Sequence, residues 1–254
     1  MLQRLLTSAL IAGAAVGLIA ALLQLVFVQP VLLHAELYEG GERTHFVAPS
    51  GPDHGAEADP DATAPADQGH AAPVPQDNGS AAGAPGIGFD APRDGLSILF
   101  TIMVYAGYGL MLVAAMAFAE NNGQKITARQ GLIWGIAGFA AVQMAPAFGL
   151  APGMPGMAAA DTTTRAVWWV ATVVASTIGF WLIAFGRNWV AFAAAIALVA
   201  APHLIGAPQP SAYAGPTPPE LAAQFAGRAI GVGLVSWTIL GLFAAWLWSR
   251  SREA

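Results

Sequence analysis

Cysteine is absent from this 254-residue chain, so no disulfide staples it and no thiolate offers the soft ligation that favours Cu(I) or structural zinc. Charge is scarce as well: Asp, Glu, Lys and Arg make up 10% of residues, against 56% hydrophobic ones and a mean hydropathy of +0.57. Soluble domains carry roughly a quarter charged residues, so this composition excludes an ordinary water-exposed globule and points to a bilayer. Motifs are missing too. No G-x-x-x-x-G-K-[ST] phosphate loop occurs, which removes nucleotide hydrolysis by that route, and neither H-E-x-x-H nor G-x-S-x-G is present. The chain is not expected to be an enzyme.

What is there is a series of apolar runs near the roughly 20 residues that cross about 30 Å of hydrocarbon. They predict an all-α, polytopic membrane bundle of about six transmembrane helices: Leu5 to Val28, Leu96 to Ala119, Gly131 to Leu150, Ala166 to Phe185, Trp189 to Ile205 and Arg228 to Trp248. The fifth has about 17 residues and contains Pro202, so five full spans and one partial helix is the alternative. In outline, residues 1–28 form the first helix, 29–95 a long extracytoplasmic loop, and 96–254 the remaining helices with short loops. The first run, about 24 residues ending in Gln29-Pro30, is longer than a signal-peptide core and reads as a retained anchor.

Basic residues favour cytoplasmic loops. Arg4, Lys125, Arg129, Arg187, Arg250 and Arg252 then lie on one side and Arg43, Arg93, Arg165 and Arg228 on the other, two of the latter in the long loop where charge counting loses force. Both termini are expected in the cytoplasm of a bacterium, the chain crossing its cytoplasmic membrane. Trp168, Trp169, Trp189, Trp246 and Trp248 fit interfacial belts, and the pairs Gly13/Gly17, Gly131/Gly135 and Gly227/Gly231 fit close helix approach.

The long loop divides. Pro30 to Glu39 reads as a short helix with Pro30 in its first turn and Gly40-Gly41 at its end, while residues 48–92, rich in Ala, Pro, Gly and Asp, bury too little apolar area to order. Between Gln29 and Asp94 eleven acidic residues face only Arg43 and Arg93, a net of −9. Such a field concentrates cations and argues against nucleic acid.

All five histidines fall on that acidic side: His34, His45, His54, His70 and His203. His54 and His70 sit in the low-complexity stretch and His45 just past Gly40-Gly41, whereas His34 and His203 adjoin apolar helices. On a helix, His34 lies about 200° from Glu36, so the two cannot face one ion; Glu36 and Glu39, three apart, share a face. His34 paired with His203 at one polar outer mouth, on which the outer ends of spans one, three, five and six converge, is the preferred metal site. A thioether alternative uses Met154 and Met157, which would suit Cu(I).

The segments Gln29-Pro30-Val31-Leu32-Leu33-His34-Ala35-Glu36, Ala145-Pro146-Ala147-Phe148-Gly149-Leu150, Ala201-Pro202-His203-Leu204-Ile205-Gly206-Ala207-Pro208 and Pro218-Pro219-Glu220-Leu221-Ala222-Ala223-Gln224-Phe225 resemble, in this order, the CbtA family of predicted cobalt transporter subunits. The resemblance spans nearly the whole chain apart from residues 48–92. It implies cobalt uptake for corrinoid synthesis together with CbtB, a small single-span partner bearing a histidine-rich terminus. Matched motif positions plus ligand chemistry give His34, Glu36, His203 and Glu220 as metal ligands, with Glu39, His45, Met154 and Met157 as weaker candidates. No permanently bound cofactor is expected, Co²⁺ being cargo. Nitrogen and oxygen donors also suit nickel and zinc, so the residues alone do not choose the ion. The spans hold polar Gln24, Thr101, Tyr105, Tyr108, Gln143, Thr172, Ser176 and Thr177 but no Asp, Glu or Lys to relay protons. A non-transporting metal receptor, or a haem protein with His34 and His203 as axial ligands, are the competing readings.

Overall fold

The computed structural model describes residues 2–43 and 89–250, and among these all regular structure is helical. His45, His54, His70, Arg252 and the low-complexity stretch from 48 to 88 lie outside the described residues. Helix α1 spans Leu2–Leu23 and runs through a π-helical turn, Gln24–Val28, directly into α2, Gln29–Glu39. Helix α3 is Ala91–Asn121, capped by Asp90, whose side chain accepts from the Arg93 N–H, with Pro92 in the first turn. Helix α4, Gly131–Phe139, passes through a second π turn, Ala140–Met144, into the short α5, Ala145–Ala147. Helices α6 (Thr162–Phe185), α7 (Trp189–Ile205) and α8 (Pro219–Arg250) complete the bundle.

Four of these rods are long and apolar enough to cross a membrane: Gln3–Glu39, Ala91–Asn121, Thr162–Phe185 and Pro219–Arg250. The six expected full spans are therefore four long ones and two short. The rod from Gly131 to Ala147 is interrupted by its π turn, and α7 has 17 residues. Three boundaries also move outward. Pro30 does not end the first span, because the wider turn before it absorbs the missing N–H and the helix continues for a further eleven residues. Asp90 and Pro92 start the second span five residues before Leu96, and α8 begins at Pro219 rather than Arg228.

Helix α8 packs against α1, α4 and α3, and α1 against α3. The interior between them is filled by Val16, Val113, Met116, Leu240 and Ala244, all essentially inaccessible. Helices α6 and α7 form a separate pair that joins the rest through the second π turn and α5. Small residues allow the closest approaches. A Cβ on Gly13 would stand 2.6 Å from the Tyr105 carbonyl oxygen, one on Gly109 2.6 Å from that of Ala9, and one on Gly241 would meet the backbone of Gly131 and Gly135. Two of the three glycine pairs thus mark helix contacts. Gly227 and Gly231 face open space.

The tryptophans divide likewise. Trp189 is exposed as a lipid-facing anchor should be, but Trp168 (8% exposed) and Trp248 (4%) are internal. Trp168 donates its indole N–H to the Pro202 carbonyl at 3.1 Å and Trp248 donates to Glu120 Oε2 at 3.0 Å. A buried indole needs an acceptor, and both find one across a helix interface.

Replacing Gly241 by Ala is expected to force α8 away from α4 and cost about 1–3 kcal/mol of overpacking. Gly231→Ala should leave stability unchanged or slightly raised. Thermal unfolding of the purified variants in detergent, followed by tryptophan fluorescence, measures the difference.

Candidate functional site

Both π turns end against a proline, and each solves one problem. The residue preceding the proline donates to the carbonyl five residues back, Gln29 N–H to Gln24 and Ala145 N–H to Ala140. Widening the turn lets Pro30 and Pro146 sit in continuous helix, and it leaves Gln24 and Gln143 with amides directed at neighbours. Thr101 of α3 donates to Gln24 Oε1 at 3.2 Å. Gln143 reaches α8, where Gly233 makes room for its amide and the Ala229 carbonyl accepts at 3.4 Å.

Beside the first π turn a cavity of about 290 Å³ opens between α1–α2 and α3, with Gln24, Gln29, Glu36, Arg93, Ser97 and Thr101 as its polar lining. Two of these lining residues, Gln29 and Arg93, are bonded to Asp94, which is 1% exposed. Its carboxylate accepts from Gln29 Nε2 at 2.6 Å, Arg93 Nε at 2.9 Å and the Asp90 N–H at 2.9 Å. Asp94 therefore joins the start of α3 to the start of α2 across 65 residues of sequence.

Helix α2 buries Val31, Leu33, Ala35 and Leu37, an alternation that places burial on opposite faces. Val31 and Ala35 pack with Met154, Met157, Leu221 and Phe225, while Leu33 and Glu36 turn to the cavity shared with Ser97 and Ile98. His34 falls between these faces and is exposed. The helical separation of His34 from Glu36 is thus realised.

His203, near the end of α7, is exposed and leans edge-on against Phe148 and Trp168, each 6.1 Å away between ring centres. It lines a second cavity of about 660 Å³ with Met144, Phe148, Trp168 and Gln209. Glu220 is exposed in the first turn of α8, and Glu39 is exposed beside Gly156. The ends of these helices meet: Gln209 donates to the Gly149 carbonyl, Ala158 N–H to Ala214, and the 154–157 segment fits between α2 and α8. Their meeting point is apolar rather than the polar mouth expected, because Val31, Ala35 and Phe225 fill it and the Met154 thioether is buried among them.

Among the described residues no group of three or more His, Cys, Asp or Glu side chains lies within reach of one metal ion. His34, Glu36, His203 and Glu220 are therefore not gathered into a single cage. The reason is architectural, since α2 belongs to the α1–α3–α8 group and α7 to the α6 pair. Glu36 and His203 instead line two separate cavities. The groups overlooked in the sequence are Gln29, Arg93, Asp94 and Ser97. Asp90-Ala91-Pro92, a helix cap followed by proline in the first turn, was the signal that would have brought Asp94 into the second span.

The family model described as "Probable cobalt transporter subunit (CbtA)" matches residues 2–249, and the chain belongs to this family. No curated protein and no solved structure matches it significantly.

Asp94→Ala removes the shared acceptor of Gln29 and Arg93 and is expected to lower the thermal midpoint by several degrees. Asp94→Asn, which keeps one carbonyl oxygen, should lose less. Equal midpoints for wild type and Asp94→Ala would contradict the structural role of this carboxylate.

Proposed function

We propose that this CbtA-family chain is the permease subunit that carries Co²⁺ inward across a bacterial cytoplasmic membrane to supply corrinoid synthesis. The observation that supports this most is the cavity beside the first π turn, where Glu36, Gln24, Gln29, Ser97 and Thr101 supply side-chain oxygens next to an apolar helix. Carboxylate, amide and hydroxyl oxygens bind a borderline divalent ion without the strength of a closed nitrogen or thiolate cage. A transport site has to release what it takes, so weak, open coordination suits the task.

In this reading His34, on the exposed side of α2, takes the ion first through its imidazole, and Glu36 draws it inward. His203 and Glu220 serve as further capture groups at the same end, with Glu39, Met154 and Met157 as lesser donors. The arginine distribution favours both termini in the cytoplasm. Inward movement down the membrane potential then yields about 2.3 kcal/mol per charge per 100 mV. Two charges gain about 4.6 kcal/mol, roughly a thousandfold accumulation. A small CbtB-like subunit with a histidine-rich terminus is the proposed partner.

The second reading is a receptor that captures cobalt and passes it on without conducting it. It is favoured by the closed apolar interior, where Val16, Val113, Met116 and Leu240 are fully buried.

Radiolabelled cobalt uptake into proteoliposomes, with and without the histidine-tailed partner, separates the two. Flux by this chain, alone or with the partner, is expected, and Glu36→Gln should cut initial uptake at limiting cobalt about tenfold, equivalent to about 1.4 kcal/mol. His34→Ala and His203→Ala should each reduce it less. Absence of flux under both conditions, with cobalt still bound, would replace the permease by the receptor. Copper accumulation lost in Met154→Ala and Met157→Ala, with cobalt uptake unchanged in His34→Ala, would replace cobalt by Cu(I).

A further inference from the structure

The end of the bundle away from His34 and His203 carries a groove that the transport reading does not use. Helix α6 packs against the second π turn, and toward its C-terminus its rings meet those of α3 and α4. Trp181 stands 5.2 Å from Phe118 and 6.4 Å from Trp134 between ring centres, and Phe185 stands 6.3 Å from Trp134. Behind these contacts a slot of about 290 Å³ runs between α3, α4 and α6, with Met111, Ala137, Phe180 and Trp237 among its apolar walls. Its polar rim is formed by Gln124, Lys125 and Gln130 at one end. A second, more polar recess adjoins it, shares Gln124, Trp181 and Phe185, and adds Asn122 and Arg187. Neither recess has an acidic residue in its lining.

An apolar slot that ends in two cations and several amide donors matches a molecule with a hydrocarbon tail and an anionic head. Basic pockets between helices at a membrane surface have this chemistry for anionic phospholipid headgroups. Arg187 lies in the two-residue link Gly186–Arg187 before the Asn188 cap of α7 and lines the polar recess, while Lys125 lies before the Thr127 cap of the short helix leading to α4 and lines the adjoining slot. We infer that this groove binds one anionic phospholipid, an acyl chain lying in the slot behind the Trp134–Trp181 contact and its phosphate held by Lys125 and Arg187.

The inference is independent of the metal carried. Full-length protein is reconstituted in nanodiscs of mixed phosphatidylglycerol and phosphatidylethanolamine, extracted mildly, and the lipid retained per chain is read by native mass spectrometry. Wild type is expected to keep one phosphatidylglycerol with at least fivefold preference over phosphatidylethanolamine. The Lys125→Gln/Arg187→Gln double variant should lose that preference, while Arg4→Gln, a cation at the same end but outside the groove, should retain it. Ala137→Phe, which fills the slot, should lower retention of both lipids. Equal retention of the two headgroups by wild type, or unchanged preference in the double variant, overturns the site. So does displacement of the retained lipid by millimolar inorganic phosphate, since a headgroup pocket without a chain slot would take the free ion. The wild-type comparison stands even if a variant does not fold.

Discussion

Everything at the histidine-bearing end depends on how a bilayer helix accommodates proline. In hydrocarbon an unpaired backbone group costs several kcal/mol, because no water is present to satisfy it. Pro30 and Pro146 would each leave such a gap in an ordinary α-helix. Here the turn before each proline widens to i→i+5 bonding, and the helix continues unbroken. The extra residue rotates the next helical segment about its axis, and α2 sits between two sets of neighbours with Glu36 turned to α3 and His34 left outside. Arg228 of α8 braces the same turn by donating to the Phe27 carbonyl at 3.1 Å.

The second determinant is how closely the helices approach. Gly13, Gly109, Gly131 and Gly241 bring backbones together along α1–α3 and α4–α8, and a contact of that kind leaves no room for a ligand. Two of the cavities lie outside these glycine contacts. The polar one lies beyond the glycine contacts of α1, where the π turn faces α3, and the apolar one lies where aromatic rings stand between α6 and its neighbours. The bundle thus carries two recesses of opposite character at its opposite ends.

Much of this was legible in the sequence. Apolar run length predicts helices, and α7 begins and ends where its 17 residues suggested. The close-packing role of Gly13 and Gly131 was also readable from four-residue spacing. Gly227 and Gly231 have the same spacing and face open space, since spacing says which residues share a helix face but not what that face meets. The same limit governs tryptophan: Trp168 and Trp189 both stand near helix starts, yet only contact with the Pro202 carbonyl makes Trp168 internal. The π turns were invisible, because the wider bonding pattern before Pro30 and Pro146 has no residue signature of its own. His34, Glu36, His203 and Glu220 could be chosen by chemistry, but their distribution between the α8 group and the α6–α7 pair is a property of packing.

A guanidinium lining a cavity repels a divalent cation, which on its own would set Arg93 against the proposed role. Its charge is not alone there. Asp94 accepts from it at 2.9 Å from a position almost wholly withdrawn from solvent, so the pair presents little net charge to the cavity. That leaves the sign of the local field to Glu36, whose charge also acts on Arg93. A neutral Arg93–Asp94 pair also gives the cavity a rigid floor, because Gln29 donates to the same carboxylate and ties the pair to the turn that carries Glu36. Coulomb attraction between a divalent ion and one carboxylate falls as the reciprocal of distance and dielectric, and is strongest where water is partly excluded. Asp94 thus serves two ends at once: it fastens α3 to α2 and removes the one positive charge that would cancel Glu36. The local field that Glu36 sets in the proposed role therefore depends on a residue that no ion need touch.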